Sequence, residues 1–163
     1  IAVSQGPGSY TGLRIGVSAA KGLCYALNIP LIAVDTLKVL ASQANVDNGL
    51  IVPMLDARRM EVYSAIFNTK LEKQREIQAE VITENSFEDV TEMVYFVGDC
   101  ADKCKAVLTK PNFIFLEEIK YPSAKEMSAL SFSKFQNSDF QDVAYFEPYY
   151  LKDFMITTSK KVG

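Results

Sequence analysis

Apolar and polar positions along the chain fall into two rhythms, one of about four residues and one of two. Residues 1–4 form an apolar run that reads as the end of a strand, and Gln5-Gly6-Pro7-Gly8 follows as a turn. Ser9 stands where an N-cap belongs, so a helix is expected from there to residue 27, closed by Asn28 and Pro30. Residues 31–34 form a short apolar strand, and Asp35 or Thr36 caps a second helix through residue 44. After the turn Asp47-Asn48-Gly49, residues 50–55 and 61–68 pattern as a hairpin about residues 56–59. Further strands are expected at 77–83, 94–97 and 113–116, with at most a short helix at 87–93 and a fuller one at 101–108. Ser123 and Glu126 make a capping box for a helix to about residue 135. The stretch from residue 143 is rich in aromatics (Tyr145, Phe146, Tyr149, Tyr150, Phe154), for which packing in the core and between lobes is expected rather than base stacking.

This order of strands and helices predicts an α/β protein with mixed sheets and helices packed on them. Two lobes, each a strand meander followed by alternating helices and strands, describe the actin-like ATPase (ribonuclease H-like) architecture. The first lobe is expected in residues 1–46 and the second in 47–163. With no initiator methionine and an apolar run at its very start, the chain is expected to be a fragment whose first lobe is incomplete.

Composition narrows the chemistry. The 163 residues carry a net charge of −3 and are 48% hydrophobic, without the basic excess that unaided gripping of a nucleic-acid backbone requires. Direct nucleic-acid binding, tRNA included, by the chain alone is therefore not expected. Histidine is absent, which removes the usual general base at neutral pH and the usual zinc ligand. Three cysteines and no secretory segment point to a reducing cytoplasm. Cys100 and Cys104, one helical turn apart, are expected to be small packing residues, since two thiols without further ligands do not hold structural zinc. No apolar run reaches the roughly 20 residues of a membrane span.

The segment from Gly6 to Leu27 is the most distinctive. Strand, glycine-rich turn and helix are the order of a phosphate loop, yet neither the GxxxxGK[ST] nor the GxGxxG spacing occurs. Packing is the other reading. Gly12, Gly16 and Ala20 recur every fourth residue, and interior helical glycines cost about 0.8–1 kcal/mol each against alanine, a cost that a close contact would offset. Because the helix is apolar over more than one face, it is expected to be covered on both sides, by its own sheet on one and by a helix of the same lobe absent from this chain or another subunit on the other. Arg14 and Lys21, seven apart, are read as a solvated polar rim.

The string Gly6-Pro-Gly-Ser-Tyr-Thr-Gly-Leu-Arg-Ile-Gly16 resembles the signature of the TsaB (YeaZ) family. Further landmarks keep the family's order: Lys21-Gly22-Leu23, the run from Ile29 to Leu37, Asp56-Ala57-Arg58-Arg59-Met60-Glu61-Val62-Tyr63, Val97-Gly98-Asp99 and Glu147-Pro148-x-Tyr150-Leu151. The sister protein TsaD shares part of the first signature but carries paired metal-binding histidines that this chain lacks. The resemblance implies the actin-like fold, no catalytic residues, no metal and no cofactor. It also implies a scaffold and activator of TsaD in threonylcarbamoylation of tRNA adenosine 37, a homodimer in isolation, and partnership with TsaD and TsaE. The helix from residue 10 to 27 then becomes the partner surface, with Thr11, Arg14, Ile15, Ser18, Lys21, Gly22 and Tyr25 as candidates. Gly6, Pro7, Gly8, Ser9 and Gly12 make the signature turn. Asp56, Arg58, Arg59 and Glu61 are expected to form a local polar cluster in a hairpin turn that lacks glycine. The competing readings are an ATP-binding phosphotransferase and a glycoprotease-type peptidase of the same fold.

Overall fold

The structure, a computed structural model, describes residues 1–58 and 61–151. Its elements run β1 (Ala2–Gly6), α1 (Tyr10–Leu27), β2 (Ile32–Asp35), α2 (Thr36–Ala41), β3 (Leu50–Asp56), β4 (Glu61–Asn68), β5 (Lys73–Val81), β6 (Val94–Val97), α3 (Ala101–Lys105), β7 (Phe113–Phe115) and α4 (Ala124–Gln136).

Among the described residues the strands make two sheets. β1 and β2 pair in parallel, and the second sheet runs β5-β4-β3-β6-β7. β3–β4 and β4–β5 are antiparallel, whereas β3–β6 and β6–β7 are parallel, which makes the second sheet mixed. Period-2 alternation divides its side chains between two cores. Ile51, Leu55, Ala65 and Phe67 pack on Leu37 and Leu40 of α2. Val52, Met54, Val62 and Phe96 pack on the opposite side with Cys100, the N-cap of α3, and Cys104 within it. The small sheet is covered on one side by Ala20 and Cys24 of α1 and on the other by Met127 and Leu130 of α4. α4 thus lies back against the sheet formed by the first residues of the chain, and a bridge between Leu31 and Gln141 ties the segment after it to the same place.

Local signals placed most helix starts. Ser9 accepts from Gly12 N at 3.4 Å, Asp35 accepts from Leu37 N and Lys38 N, and Ser123 accepts from Lys125 N. Asn28, in the left-handed region at φ 52°, closes α1. Several ends differ from expectation. α2 stops at Ala41 rather than residue 44, and α3 at Lys105 rather than 108. β5 begins at Lys73, four residues before the first alternating apolar position, because its polar start is carried by the ladder to β4, with Phe67 opposite Lys73. The short helix at 87–93 does not form. Residues 84–89 are successive turns closed by i to i+3 bonds, and Phe87 sits at φ 62°.

Candidate partner-docking site

α1 is built by its caps and oriented by one apolar stripe. Val17, Ala20 and Cys24 are buried against the small sheet. At 100° per residue the opposite side carries Thr11, Ile15, Ser18, Gly22 and Tyr25, and each of these is exposed. Ile15 is 66%, Leu23 53%, Tyr25 85% and Leu27 60% exposed, so four large apolar side chains stand bare on one helix. A Cβ added to Gly16 or Gly22 meets nothing within 4 Å, so neither glycine is required by a contact inside the chain. Within the chain, α1 is therefore covered by its own sheet on one side, and the other side is bare. The Gly12–Gly16–Ala20 stripe is also not a single outward face, since Ala20 turns into the sheet while Gly12 is exposed.

The two basic residues part company. Arg14 is exposed and lies over the Tyr10 ring, 5.6 Å from its centroid, at the edge of the outward face. Lys21 is not solvated rim. Its Nζ donates to the carbonyls of Ala144 at 3.1 Å and Phe146 at 2.9 Å, tying α1 to the aromatic segment that follows α4. That segment is only partly core. Phe146 packs with Ala20, Cys24 and Leu31, and Tyr150 stacks obliquely on Tyr10 at 4.8 Å, but Tyr145 is 84% exposed. Phe154 lies outside the described residues.

The signature turn is held from two sides. Gly6 N donates to Thr36 Oγ1 at 3.0 Å, and Tyr149 N donates to Gln5 O at 2.7 Å. Gly6 adopts φ 111°, and a Cβ there would stand 2.7 Å from Tyr149 O. Glycine is therefore required by both backbone conformation and the strap of chain lying over it. Pro7 and Gly8 complete the turn, and Gly8 faces open space.

The hairpin cluster has a wider membership than its own turn. Lys103 of α3 donates to Asp56 Oδ1 at 2.7 Å, and Asp56 N donates to Asp99 Oδ1 at 3.1 Å. The Lys103 ammonium holds the Asp56 carboxyl below its usual range. Arg58 N also donates to Asp56 Oδ1, at 3.2 Å, and Glu61 N donates to Arg58 O at 3.1 Å. Arg59 lies outside the described residues. Two landmarks distant in sequence, the Asp56 turn and Gly98-Asp99, are thus brought together. Nothing local in the sequence links Lys103 to a turn 47 residues earlier.

Cys100 and Cys104 are both buried. Burial foremost, then the neighbouring Asp99 carboxylate, pushes the Cys100 thiol up from 9.0 to about 12. Between those values an unfolded chain has lost a proton that the folded chain keeps, so stability must fall as pH rises. The slope from this one group reaches about 1.4 kcal/mol per pH unit. Urea unfolding at stepped alkaline pH is expected to show that loss in the native chain and a shallower one in Cys100→Ala. Equal slopes would exclude the buried thiol as its source.

Comparison with known proteins places this arrangement. The family model described as "TsaD: tRNA N6-adenosine threonylcarbamoyltransferase" matches residues 1–160. The Bacillus subtilis protein named tRNA threonylcarbamoyladenosine biosynthesis protein TsaB is 50% identical over 70 residues, covering 43% of this chain and 31% of that protein. The Escherichia coli protein of the same name is 28% identical over 163 residues, covering 94% of this chain and 70% of the relative. That from Buchnera aphidicola of Schizaphis graminum is 31% identical over 144 residues, covering 82% and 67%. The chain belongs to the TsaB (YeaZ) family. The Pseudomonas aeruginosa YeaZ structure superposes with a TM-score of 0.76 at 22% identity, covering 92% of this chain and 73% of that one. A second Pseudomonas aeruginosa structure, described as an uncharacterized protein with similarity to peptidase YEAZ, gives 0.73 at 22% identity over 93% and 73%. This TsaB-family chain accordingly has the actin-like α/β fold. The aligned part spans under a third of the Bacillus relative and about two thirds of the other two. Among the described residues, no helix is long and apolar enough to cross a membrane.

Proposed function

We propose that the chain is a non-catalytic subunit that activates a TsaD-type transferase in making threonylcarbamoyladenosine on tRNA. The observation that carries this is the bare face of α1. Fully burying a large apolar side chain contributes about 1.5–3 kcal/mol, so Ile15, with Tyr25 and Leu23 flanking it, represents a strong drive to association. Gly16 and Gly22, with open space above them, let a second backbone come close. The names of the TsaB relatives supply the pathway, and the TsaD family model supplies the kind of partner. On this reading α1 receives either a TsaD-type helix or the α1 of a second copy, and a TsaE-type protein joins the assembled pair. The work takes place in the cytoplasm, with the tRNA held by the partner. The lobes correspond to residues 1–46 and 47–163, with α4 and the segment after it lying back against the first sheet. The Asp56 cluster is structural, because its groups are engaged with Lys103 and Asp99.

Reconstitution tests the proposal. The chain is mixed with its cognate TsaD, a TsaE-type protein, tRNA and the threonylcarbamoyl donor, and modified adenosine is measured. Product is expected only when chain and TsaD are both present, and ATP turnover by the chain alone should stay at background. Full product without the chain, or robust turnover by it in isolation, overturns the reading.

A further inference from the structure

A cleft of about 370 Å³ lies beside the small sheet, and no residue of α1 lines it. Gln5 and Asp35 place it at the carboxyl ends of the parallel strands β1 and β2. Open parallel sheets bind ligands at that end. The opposite wall is the β4–β5 hairpin, with Lys70, Glu72 and Lys73, and Lys134 of α4 closes one side. Counting Lys38 of α2, the lining carries four lysines and two carboxylates in a protein whose net charge is −3.

The cations are not equivalent. Lys73 Nζ spans from the hairpin to Asp35 Oδ2 at 3.3 Å and also meets Glu76, while Lys134 is paired with Asp139. Glu72 accepts from the Asn68 amide at 2.6 Å. Lys38 and Lys70, on different walls, have no ion-pair partner among the described residues. Burial differs too, since Lys38 is half-buried and Lys70 exposed. Lys38 and Lys70 thus line one small cleft without an ion-pair partner, and although Glu72 keeps its negative charge beside Lys70, the two lysines offer a compact anion charge at two points. The apolar lining is limited to Ala33, Leu71 and the fully buried Phe67, which leaves no exposed flat surface for a nucleobase.

We propose that this cleft binds a small oligophosphate anion, of pyrophosphate or tripolyphosphate type, held between Lys38 and Lys70. The phosphate oxygens accept charge-assisted hydrogen bonds from the two lysines, and Lys73 stays committed to Asp35 as the tie between the walls. The proposal is independent of the docking face, and its outcome leaves the TsaD reading untouched.

Isothermal titration calorimetry on the full chain, at fixed ionic strength, tests it with sodium pyrophosphate, sodium tripolyphosphate, ATP, a short RNA duplex and a chloride blank. Pyrophosphate or tripolyphosphate should bind one to one. Lys38→Gln and Lys70→Gln should each raise the Kd about tenfold, with circular dichroism unchanged. ATP binding no tighter than tripolyphosphate supports recognition of the phosphate chain alone. Heat equal to the chloride blank, native affinity in the double variant, ATP binding without tripolyphosphate binding, or RNA binding without pyrophosphate binding would each overturn the proposal.

Discussion

Replacing Gly98 by alanine is expected to cost about 4 kcal/mol or more, lowering the midpoint of thermal unfolding by roughly 10 °C. Gly98 directly follows β6 at φ 120°, and a Cβ built there stands 1.9 Å from the Met54 carbonyl oxygen and 2.9 Å from its carbon. The obstruction is strand backbone, which no rotamer change can clear. Gly98 N also donates to Ile119 O at 2.7 Å, so the residue cannot retreat without breaking that bond. Leu40 of α2 closes the third side at 3.1 Å. The substitution therefore strains the place where β3, β6 and α2 meet, and Asp99 and Cys100 next to it lose their footing. Thermal and urea unfolding of Gly98→Ala measure the effect. A loss under 1 kcal/mol would mean that the β6–α3 connection yields more readily than this geometry allows.

The second large effect concerns α1 and separates folding from association. Ile15→Asp with Leu23→Asp should leave the isolated chain's unfolding midpoint nearly unchanged, because both side chains are more than half exposed. The same pair of changes should weaken binding to the partner at least about 100-fold, by placing two unpaired charges in the middle of a desolvated contact. Gly16→Ala gives a contrast with opposite signs. Nothing stands within 4 Å of the added methyl, so the isolated helix gains about 0.8–1 kcal/mol, while a partner backbone seated over Gly16 is pushed away. Sedimentation for self-association, titration against TsaD and thermal unfolding read the three quantities. Variants that destabilise the chain and leave association intact would show that this face belongs to the chain's own fold.

Elements whose signals are local were legible from the residues. β4 and β6 occupy the expected positions, because alternation about Glu61–Asn68 and the apolar run Val94–Val97 need only the strand period to be read. The start of α1 likewise follows from Ser9. β5 starts earlier than its apolar alternation predicts, because residues 73–76 are polar and are strand only through their partners on β4. The helix expected at 87–93 failed for a related reason, as its apolar residues serve a run of turns in which Phe87 and Val90 pack beside β6 and β7.

α1 shows the same division at the level of the candidate site. Its glycines, its apolar breadth and its family signature could be read in order along the chain, and they pointed to association. Sequence could not say which side was spoken for. Lys21 looked like solvated rim until the fold placed the carbonyls of Ala144 and Phe146 within its reach, more than 120 residues away. Asp56 found Lys103 and Asp99 in the same manner. By itself the sequence determined the caps, the strand periods, the family and the absence of histidine, since each depends on residue type and near neighbours alone. Only the tertiary structure decided which face of α1 is bare and which lysines share a cleft, because both depend on distances between residues that the chain order keeps far apart.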